Sequence, residues 1–477
     1  MTSRKVRLKN IIAYGIGDIY GGGAFLLLGT LYMIFLTDIV GLKPAWAGSV
    51  VIIGKGWDAI SDPLMGYISD NIDTEYGRRR IFFIIGIIPI IISFISLWIP
   101  LDSSSNLVLF IYYTFAYILF STVFTMVMVP YSALNAEMTE NFQIRTKLST
   151  ARMGFSQLSA LISGVLPKMF IDFLNKAGII SPEYSYLLMG VSFALLYSLP
   201  WIFVYKGTWE LPYEVDKQTS FIEKIKRYKT VFYNKSFKIH VGMYISAYLA
   251  MDFLMALFIY YLTYYIKKPD IFPYCMLAIL LSQILMLTVY MKISNSKGKS
   301  KAYTLGLIIW GLGMLSLLFL TSTTPLYIIL IICVIIGAGL SAGVMVPWAI
   351  LPTISDIDQL INTKRRTGIY SGLMTFIRKI AQAVALWSVG IILTLINYVP
   401  NQSQSPKTLL YLKYIFVFLP LTLIIIGIFF SYKYKVTPGK QEMLVNEIER
   451  INNGGKREEA SPAVKKVCEE LTGIKYK

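Results

Sequence analysis

Three charged side chains inside an otherwise apolar segment have the spacing of a polar site. The stretch "GKGWDAISDPLMGYISD" runs from Gly54 to Asp70 and holds Lys55, Asp58 and Asp62. Residues three and four apart lie on one face of a helix. A charge at the centre of a membrane-spanning helix costs about 2.5–3.5 kcal/mol, and such residues usually serve function.

The chemistry of this face leaves two functional interpretations and one structural one. Two carboxylates one turn apart, with a hydroxyl from a neighbouring helix, would form an oxygen cage for a hard monovalent cation. In the second interpretation the two carboxyl groups share one proton, because two adjacent carboxyl groups resist being ionised together. In the structural alternative, Asp58 and Asp62 pair with Lys55 and Lys379 only to fix helix packing. Packed apolar residues could replace such a pair at little cost.

The composition is that of a polytopic membrane protein. The helix that carries Lys55, Asp58 and Asp62 is then one of its membrane-spanning helices. Of 477 residues, 55% are hydrophobic and 15% are charged, whereas soluble domains carry about 25% charged residues. The three cysteines have no metal-binding spacing and His240 is the only histidine, so we expect neither a metal enzyme nor histidine catalysis. The N-terminal "MTSRKVRLKN" leads directly into a long apolar segment, so no cleaved signal peptide is expected.

Twelve apolar segments are predicted to be membrane-spanning helices, and we number them as spans one to twelve. They cover 11–40, 46–69, 81–101, 107–134, 151–172 and 185–205, then 241–266, 274–292, 302–322, 326–354, 368–398 and 411–432. Lysine and arginine concentrate at the N-terminus, in the central loop, in alternate short loops and in the C-terminal tail. The positive-inside rule therefore predicts that both termini are cytoplasmic. Orientation and anionic lipid explain the net charge of +18, so no nucleic-acid partner is expected.

An internal repeat predicts two related six-helix halves. "MVPYSAL" (128–134) closes span four and "MVPWAIL" (345–351) closes span ten. Each is followed by an acidic loop and then by similar sequence, "RTKLSTARMGF" from Arg145 and "RTGIYSGLMTF" from Arg366. Such repeats place a substrate site near the membrane midplane between the halves. The predicted organisation is an N-terminal bundle (1–205) with the cation site, a central loop (206–240), a C-terminal bundle (241–432) and a tail (433–477).

Other spans also hold polar side chains that are candidates for the cavity. Span eleven contains "FIRKIAQA", in which Arg378 or Lys379 must face the interior or extend to the membrane surface. Span one has a glycine-rich start that fits close packing or an open pocket. Basic groups of spans five and eleven are expected to face the acids of span two. The candidates outside span two are Asp18, Arg152, Tyr244, Tyr248, Asp252, Thr375 and Lys379.

These motifs resemble the glycoside–pentoside–hexuronide:cation symporters, the melibiose-permease branch of the major facilitator superfamily. The resemblance rests on "WDAISDPLMGYISD", "GRRR", "VPYSAL", "TARMGF", "KRRTGIYSG" and "FIRKIAQA", and it extends from about Tyr14 to Asn401. It implies an all-α membrane protein with twelve transmembrane helices in two pseudo-symmetric bundles, the major facilitator fold. It also implies a cation site at Asp58, Asp62 and Thr125, with Lys55 ahead of it. The implied sugar-site residues are Arg152, Trp348, Thr375 and Lys379.

The sequence departs from the melibiose permeases at several of these positions. A third aspartate of their span four is Met128 here, their span-four tryptophan is Ser132, and a lysine–aspartate pair of span one falls on Gly21 and Gly22. Asp18 instead follows the pattern of other branches of the family. A thioether is a poor ligand for a hard cation, so a proton is as credible a coupling ion as sodium.

The predicted function is therefore symport of a sugar or glycoside with Na⁺ or H⁺ by alternating access, in a monomeric, multi-pass protein of the plasma (inner) membrane without a cofactor. One alternative keeps the coupling but carries a non-sugar cargo such as a lysolipid. Another is a non-transporting membrane receptor, which the buried acids argue against. Charges at the cytoplasmic ends predict a reversible gate made by Asp70, Arg78, Asp356 and Arg366, with Glu137, Arg145, Asp358, Lys364 and Arg365 beside it. The tail is predicted to form two short helices, on the protein or on lipid, that are dispensable for transport.

Overall fold

The computed structural model describes residues 6–72, 74–139, 141–178, 180–211, 230–362 and 366–476, and over these ranges it contains helices and no strand. Most of the predicted central loop, and the gate residues Lys364 and Arg365, lie outside the described residues.

Each of the six N-terminal spans corresponds to helical structure. Span one consists of Leu8–Gly15 and Asp18–Leu27, continued by the wide, π-type turns Leu28–Tyr32 and Phe35–Ile39. The next five are Pro44–Asn71, the broken helix Ile81–Ile85 and Ile87–Ser96, then Asn106–Glu137, Phe142–Ala177, and Pro182–Ser198 continued by Pro200–Gly207.

The six C-terminal spans are also helical. They comprise Lys235–Tyr260 with the π-type turn Tyr261–Tyr265, Phe272–Lys297, Lys299–Ser316 with the 3₁₀ turn Leu317–Phe319, Leu326–Asn362, Thr367–Leu395 and Pro406–Lys433. Short 3₁₀ turns at Val231–Tyr233 and Pro269–Ile271 precede spans seven and eight. The prediction of twelve helical segments is confirmed.

Ten of the described helices are long and apolar enough to cross a membrane. The two remaining predicted spans differ for separate reasons. Span two is 28 residues long but carries the charged face, and span three is broken at Gly86. A Cβ at Gly86 would lie 2.5 Å from the Val127 side chain of span four, so the break lies where the two spans approach closely.

Several helices are longer than their apolar sequence predicted. Span five begins at Phe142 instead of 151, because Asn141 caps it by accepting hydrogen bonds from the backbone amides of Gln143 and Ile144. Span ten continues to Asn362 instead of 354. Hydropathy detects only the apolar part of such a helix, so the polar turns at its end escape it.

The chain forms two compact units. The first contains 1–214, 255–280 and 383–412, and the second contains 215–254, 281–382 and 413–477. The first therefore includes segments of spans seven, eight, eleven and twelve together with the predicted N-terminal bundle. The domain boundaries at 205, 240 and 432 stay predictions.

The glycines of span one fit closely against span five. A Cβ at Gly22 would lie 2.7 Å from the Cα of Ser156, and the Ser159 hydroxyl donates to the carbonyl of Ile19 at 2.5 Å. Small residues permit this approach of two helix backbones. Of the two interpretations of the glycine-rich start, close packing is the one observed.

The tail forms two short helices, as predicted, at Pro438–Asn452 and Pro462–Thr472. The side chains of Thr437 and Ser461 cap their first turns. Leu444, Cys468 and Leu471 are buried, and both helices pack against span ten. The tail thus lies on the protein.

Candidate functional site

The acidic face of span two lies within the first compact unit. Asp58 is fully buried, and its carboxylate lies 4.0 Å from the Lys55 ammonium, which is buried as well. The ammonium also lies 2.9 Å from the centre of the Phe25 ring. Cation–π attraction is largest where water is excluded. Lys55 therefore contacts an acid on its own helix and an aromatic face on span one.

Span four supplies a hydroxyl group to the same face, and span two supplies another. The Thr125 hydroxyl donates to Asp62 at 2.8 Å, and the Ser61 hydroxyl lies 3.4 Å from Thr125. The structure thus brings Thr125 to Asp62, as the resemblance implies. Ser61, which the sequence argument did not single out, joins them.

The methionine that replaces a third acid points elsewhere. The methyl group of Met128 lies 2.5 Å from the position that a Cβ on Gly21 would occupy. Met128 therefore packs against the glycine turn of span one. Met128 and Gly21, two of the positions at which the sequence departs from the melibiose permeases, therefore lie next to each other.

A second cluster of the first unit joins spans one, four and five. Arg152 lies 3.3 Å from the Asp18 carboxylate and 5.0 Å from the centre of the Tyr131 ring. Tyr131 stacks on Tyr14 with ring centres 4.8 Å apart. Arg152 was expected to face the acids of span two, but the acid it contacts is Asp18. The close packing of spans one and five explains this pairing.

The second compact unit contains a comparable cluster on spans seven, ten and eleven. Arg378 donates two hydrogen bonds to Asp252, at 2.6 and 2.7 Å, and lies 4.7 Å from the centre of the Tyr248 ring. The Trp348 indole N–H donates to the Tyr248 hydroxyl at 2.9 Å. Trp348 remains 39% exposed, so much of its indole surface is available to a ligand.

The two adjacent bases of span eleven, Arg378 and Lys379, lie in different surroundings. Arg378 is the one that holds Asp252, and Lys379 is half-buried beside it. The Thr375 side chain is exposed and donates to the Ser371 carbonyl at 3.0 Å. The sequence left open whether Arg378 or Lys379 faces inward, because adjacent positions on a helix differ by only 100°.

The predicted cytoplasmic end of the first unit contains a network centred on Glu137. This carboxylate accepts from Arg78 at 2.9 Å and from Arg79 at 2.6 Å, while Arg79 also donates to Asp70 at 2.6 Å. Burial would lower the pKa of Arg79, but its hydrogen bonds and charge contacts with Glu137 and Asp70 raise it above its usual value. The proposed gate partners Asp70 and Arg78 do lie together, joined through Glu137 and Arg79.

Glu210, which the sequence argument missed, closes this network. Its carboxylate accepts from the backbone amides of Arg78, Arg79 and Arg80, each at 2.9 Å. A side chain at Gly77, whose φ is +99°, would collide with Glu210, since a Cβ would lie 2.7 Å from its oxygen. An acid soon after span six, three residues after Gly207, was the available signal.

In the second unit, Arg366 pairs with Asp358. It donates two hydrogen bonds of 2.7 Å to that carboxylate, which also accepts from Tyr370 at 2.9 Å. These hydrogen bonds and the negative charge raise the pKa of Arg366. Asp356 instead lines a pocket of about 760 Å³ between span ten and the first tail helix. Lys299, on the wall of that pocket, donates to the Thr353 hydroxyl at 2.6 Å.

His240 is buried, and its Nε2 lies 2.7 Å from the carbonyl oxygen of Pro347 in span ten. An interfacial position was expected for this residue because it starts a span. Span seven begins earlier than predicted, at Lys235, which places His240 inside the helix and within the protein. The three cysteines are free thiols and buried.

The sequence and structure resemble known transporters over nearly the whole chain. The profile of the MFS/sugar transport protein family matches residues 13–438. An uncharacterized symporter of Synechocystis sp., sll1374, is 26% identical over 92% of this chain and 96% of its own length. A putative sulfoquinovose importer of Salmonella typhimurium is 26% identical over 94% of both chains.

Two further comparisons concern cargo and fold. The sodium-dependent lysophosphatidylcholine symporter 1-A of Danio rerio is 21% identical over 93% of this chain and 90% of its own. The inward-open xylose transporter XylE from E. coli superposes with a TM-score of 0.61 over 92% of this chain and 98% of its own, at 16% identity. The fold and the family expected from the glycoside–pentoside–hexuronide:cation resemblance are both confirmed. The chain therefore belongs to the MFS/sugar transport protein family, and it is a secondary transporter with the major facilitator fold.

Proposed function

We propose that this protein couples the movement of one monovalent cation, Na⁺ or H⁺, to symport of a sugar or glycoside by alternating access. The observation that carries the proposal is the acid pair on span two, a fully buried Asp58 and a half-buried Asp62, with the Thr125 hydroxyl of span four bonded to Asp62. The family supplies the transport reaction, and the acid pair supplies a place for the coupling ion.

The residues around the acid pair fit a hard cation. Asp58 and Asp62 are one turn apart, and Ser121 and Thr125 have the same separation on span four. Thr125 contacts Asp62. Ser121 is fully buried, and no described side chain or backbone group forms a hydrogen bond with its hydroxyl. A buried hydroxyl without a hydrogen-bond partner costs the protein about 1–3 kcal/mol of stability. A cation coordinated by the hydroxyl oxygen would recover this cost. Ser121 is therefore proposed as a further ligand.

Charge balance favours a single monovalent ion. Asp58 and Asp62 together carry two negative charges, and Lys55 offsets one of them at 4.0 Å from Asp58. One bound Na⁺ or H⁺ would bring these three side chains to neutrality, and burial of a net charge in an apolar span is costly. A divalent cation would leave them with excess positive charge.

Two clusters offer groups suited to a polyhydroxylated cargo. In the first unit, Asp18 and Arg152 accept and donate hydrogen bonds. In the second unit, Asp252 and Arg378 do the same beside the exposed indole of Trp348, on which the apolar face of a sugar ring can stack. We propose each cluster, within its own unit, as a candidate for cargo binding; in the second unit the resemblance and the spacing add Tyr248, Thr375 and Lys379.

A lysolipid is the second candidate cargo. The Danio rerio relative is named for a sodium-dependent lysophosphatidylcholine symporter, and the same acid pair would serve coupling for either cargo. We further propose that the protein is monomeric, lies in the plasma membrane and has both termini in the cytoplasm, since the basic loops and tail carry most of its positive charge.

Uptake into proteoliposomes tests the proposal. A panel of labelled sugars, glycosides and lysophosphatidylcholine would be offered with an imposed Na⁺ gradient, a pH gradient or neither. Asp58→Asn and Asp62→Asn are each expected to abolish gradient-driven accumulation while cargo exchange continues. Asp102→Asn, which changes an exposed acid in a loop, is the matched control and should accumulate cargo normally. Accumulation by both span-two variants at the wild-type level would disprove the cation site.

A further inference from the structure

A buried acid at the other end of span one is surrounded by hydroxyl groups. Asp38 is 7% exposed. Its carboxylate accepts from the Thr37 hydroxyl at 2.6 Å, from the Tyr398 hydroxyl at 2.6 and 2.8 Å, and from the Tyr264 hydroxyl. None of the described lysines or arginines forms an ion pair with Asp38. The carboxylate is therefore held by neutral donors alone.

The cluster joins three segments that are far apart in the sequence. The Tyr260 hydroxyl lies 2.8 Å from that of Thr37, and the side-chain amide of Asn401 donates to the backbone carbonyl of Asp38. These residues come from the end of span one, the end of span seven and the turn after span eleven. All three segments belong to the first compact unit.

The ends of spans two and eleven also meet in this unit. A Cβ at Gly48 would lie 2.8 Å from the carbonyl oxygen of Trp387 and 3.1 Å from its Cα. Gly48 lies near the start of span two and Trp387 in the second half of span eleven, at the ends predicted to be external. Two helix backbones therefore touch at the same predicted level of the membrane as the Asp38 cluster.

A contact made by a carboxylate and hydroxyl groups suits a site that must open and close repeatedly. Apolar side chains would pack there without the desolvation cost of a buried carboxylate. A carboxylate with hydroxyl donors, in contrast, exchanges its partners for water when the segments separate, so neither state leaves it unsatisfied. Hydrogen bonds to a charged acceptor are also roughly twice as strong as neutral ones.

We infer that Asp38 closes the external end of the transport path, by holding the ends of spans seven and eleven against span one. This role rests on the proposed alternating-access function, and it assigns a positioning residue to that function. Separation of the three segments requires that the Tyr264 and Tyr398 hydroxyls leave the carboxylate of Asp38, and that Tyr260 leaves Thr37.

External accessibility of a buried position on span one tests the closure. Thr30 is 1% exposed and lies seven residues before Thr37, about two helical turns further into the membrane. Thr30→Cys would be introduced in a background in which Cys275, Cys333 and Cys468 are replaced. Right-side-out membrane vesicles would then be labelled with a membrane-impermeant maleimide, without cargo and without an ion gradient.

Asp38→Asn is expected to raise the labelling rate about tenfold, because it removes the charge that strengthens the hydrogen bonds from Tyr264 and Tyr398 of the other two segments; a tenfold change corresponds to about 1.4 kcal/mol. Tyr398→Phe removes one donor and should give a smaller increase, about threefold. Tyr327→Phe is the matched control, since this tyrosine is 64% exposed at the predicted external end of span ten, and it should leave the rate unchanged.

Each outcome either supports or refutes closure of the external end by Asp38. If Asp38→Asn fails to fold, the milder Tyr398→Phe variant carries the test. Rates unchanged in the folded variants would overturn the inference, and so would an increase equal to that of Tyr327→Phe. Because labelling requires no cargo, the result stands apart from uptake. A lack of sugar transport with increased labelling would refute the proposed cargo alone, whereas normal transport with unchanged labelling would refute the closure alone.

Discussion

The Asp18–Arg152 pair and the Asp252–Arg378 pair occupy corresponding spans of the two sequence repeats, but their geometry differs. The first is a single contact of 3.3 Å, and the Arg152 side chain is 30% exposed. The second is a two-point contact of 2.6 and 2.7 Å, and the Asp252 side chain is 5% exposed. A planar guanidinium that binds a carboxylate through two parallel hydrogen bonds is both stronger and better oriented. The repeat thus preserves the pairing of an acid with a base while the strength of the pair differs.

The two pairs also lie at different depths in their helices. With Arg145 aligned on Arg366, Arg152 follows seven residues later and Arg378 follows twelve residues later. Five residues of α-helix correspond to about 7.5 Å. Aromatic residues near the pairs keep their alignment better: Tyr131, beside Arg152, and Trp348, which donates to Tyr248 beside Arg378, both follow the repeated proline. Duplication therefore constrains the helices and their bends more tightly than it constrains the charges placed on them.

The difference in geometry predicts unequal responses to removal of each acid. Asp252→Asn should lower the free energy of unfolding by about 3–5 kcal/mol, because it leaves Arg378, whose side chain is only 18% exposed, without its counter-charge. Asp18→Asn should cost about 1 kcal/mol, because Arg152 is partly exposed and its charge is screened by water. Thermal unfolding of the purified variants in one detergent would measure both.

A double variant sharpens this comparison. Asp252→Asn combined with Arg378→Gln removes both charges and should regain part of the lost stability, since no buried charge remains. Equal destabilisation by Asp18→Asn and Asp252→Asn would show that the difference in contact geometry has no energetic consequence.

The ends of the repeats that are predicted to be cytoplasmic offer a second comparison, with a smaller expected effect. Glu137 accepts from two arginines with 13% of its side chain exposed, whereas the Asp70 side chain is 52% exposed. Glu137→Gln should cost about 2–3 kcal/mol of stability, since hydrogen bonds to charged groups are worth about 1.5–3 kcal/mol each. Asp70→Asn should cost less than about 1 kcal/mol.

Asp358→Asn is the counterpart in the second repeat. Its carboxylate is 1% exposed and binds Arg366 and Tyr370, so its effect should resemble that of Glu137→Gln. A larger effect of Asp70→Asn than of Glu137→Gln would contradict the assignment of Glu137 as the centre of the network. Whether Asp70 or Asp356 biases the transporter toward an inward-open state stays a prediction, measurable by cysteine accessibility on the two faces.

The helices and the shared face of the acid pair could be predicted from the sequence. Which side chains of different helices contact each other could not. Apolar length predicts a span, and spacings of three and four predict that Lys55, Asp58 and Asp62 share a face. Which acid Arg152 contacts depends on how closely spans one and five pack, which the serine and glycine surfaces decide. Asp38 escaped attention because a single acid at a helix end has no periodic pattern, and its hydroxyl partners come from spans seven and eleven.

The smallest predicted effect concerns the packing of the C-terminal tail. The tail contacts span ten, which belongs to the second repeat. Glu447 accepts two hydrogen bonds of 2.9 Å from Arg450 and one of 2.7 Å from Tyr476. The Arg450 hydrogen bonds hold the pKa of Glu447 below its usual value despite partial burial. A carboxyl group whose pKa is lower in the folded protein stabilises it above the unfolded-state pKa, and this contribution is lost as pH falls through the folded-state pKa. The packing of the C-terminal residues and the second tail helix against the first tail helix should therefore weaken below about pH 4.

Cys468 is the reporter for this docking, since it is 1% exposed and burial raises its pKa to about 12. A pyridyl disulfide, which reacts with thiols in acid, should label Cys468 slowly at pH 7 and faster below pH 4. Glu447→Gln should raise the labelling rate at pH 7 about two- to fivefold, the scale expected for a partly exposed charge contact. Glu449→Gln changes an exposed acid on the same helix and should leave the rate unchanged. Whether the tail is dispensable for transport stays a prediction, which uptake by a chain truncated after Lys440 would decide. Labelling of Cys468 that is equally slow in Glu447→Gln and at low pH would mean that apolar packing, in which Leu444 and Leu471 are buried, keeps Cys468 covered without help from this charge.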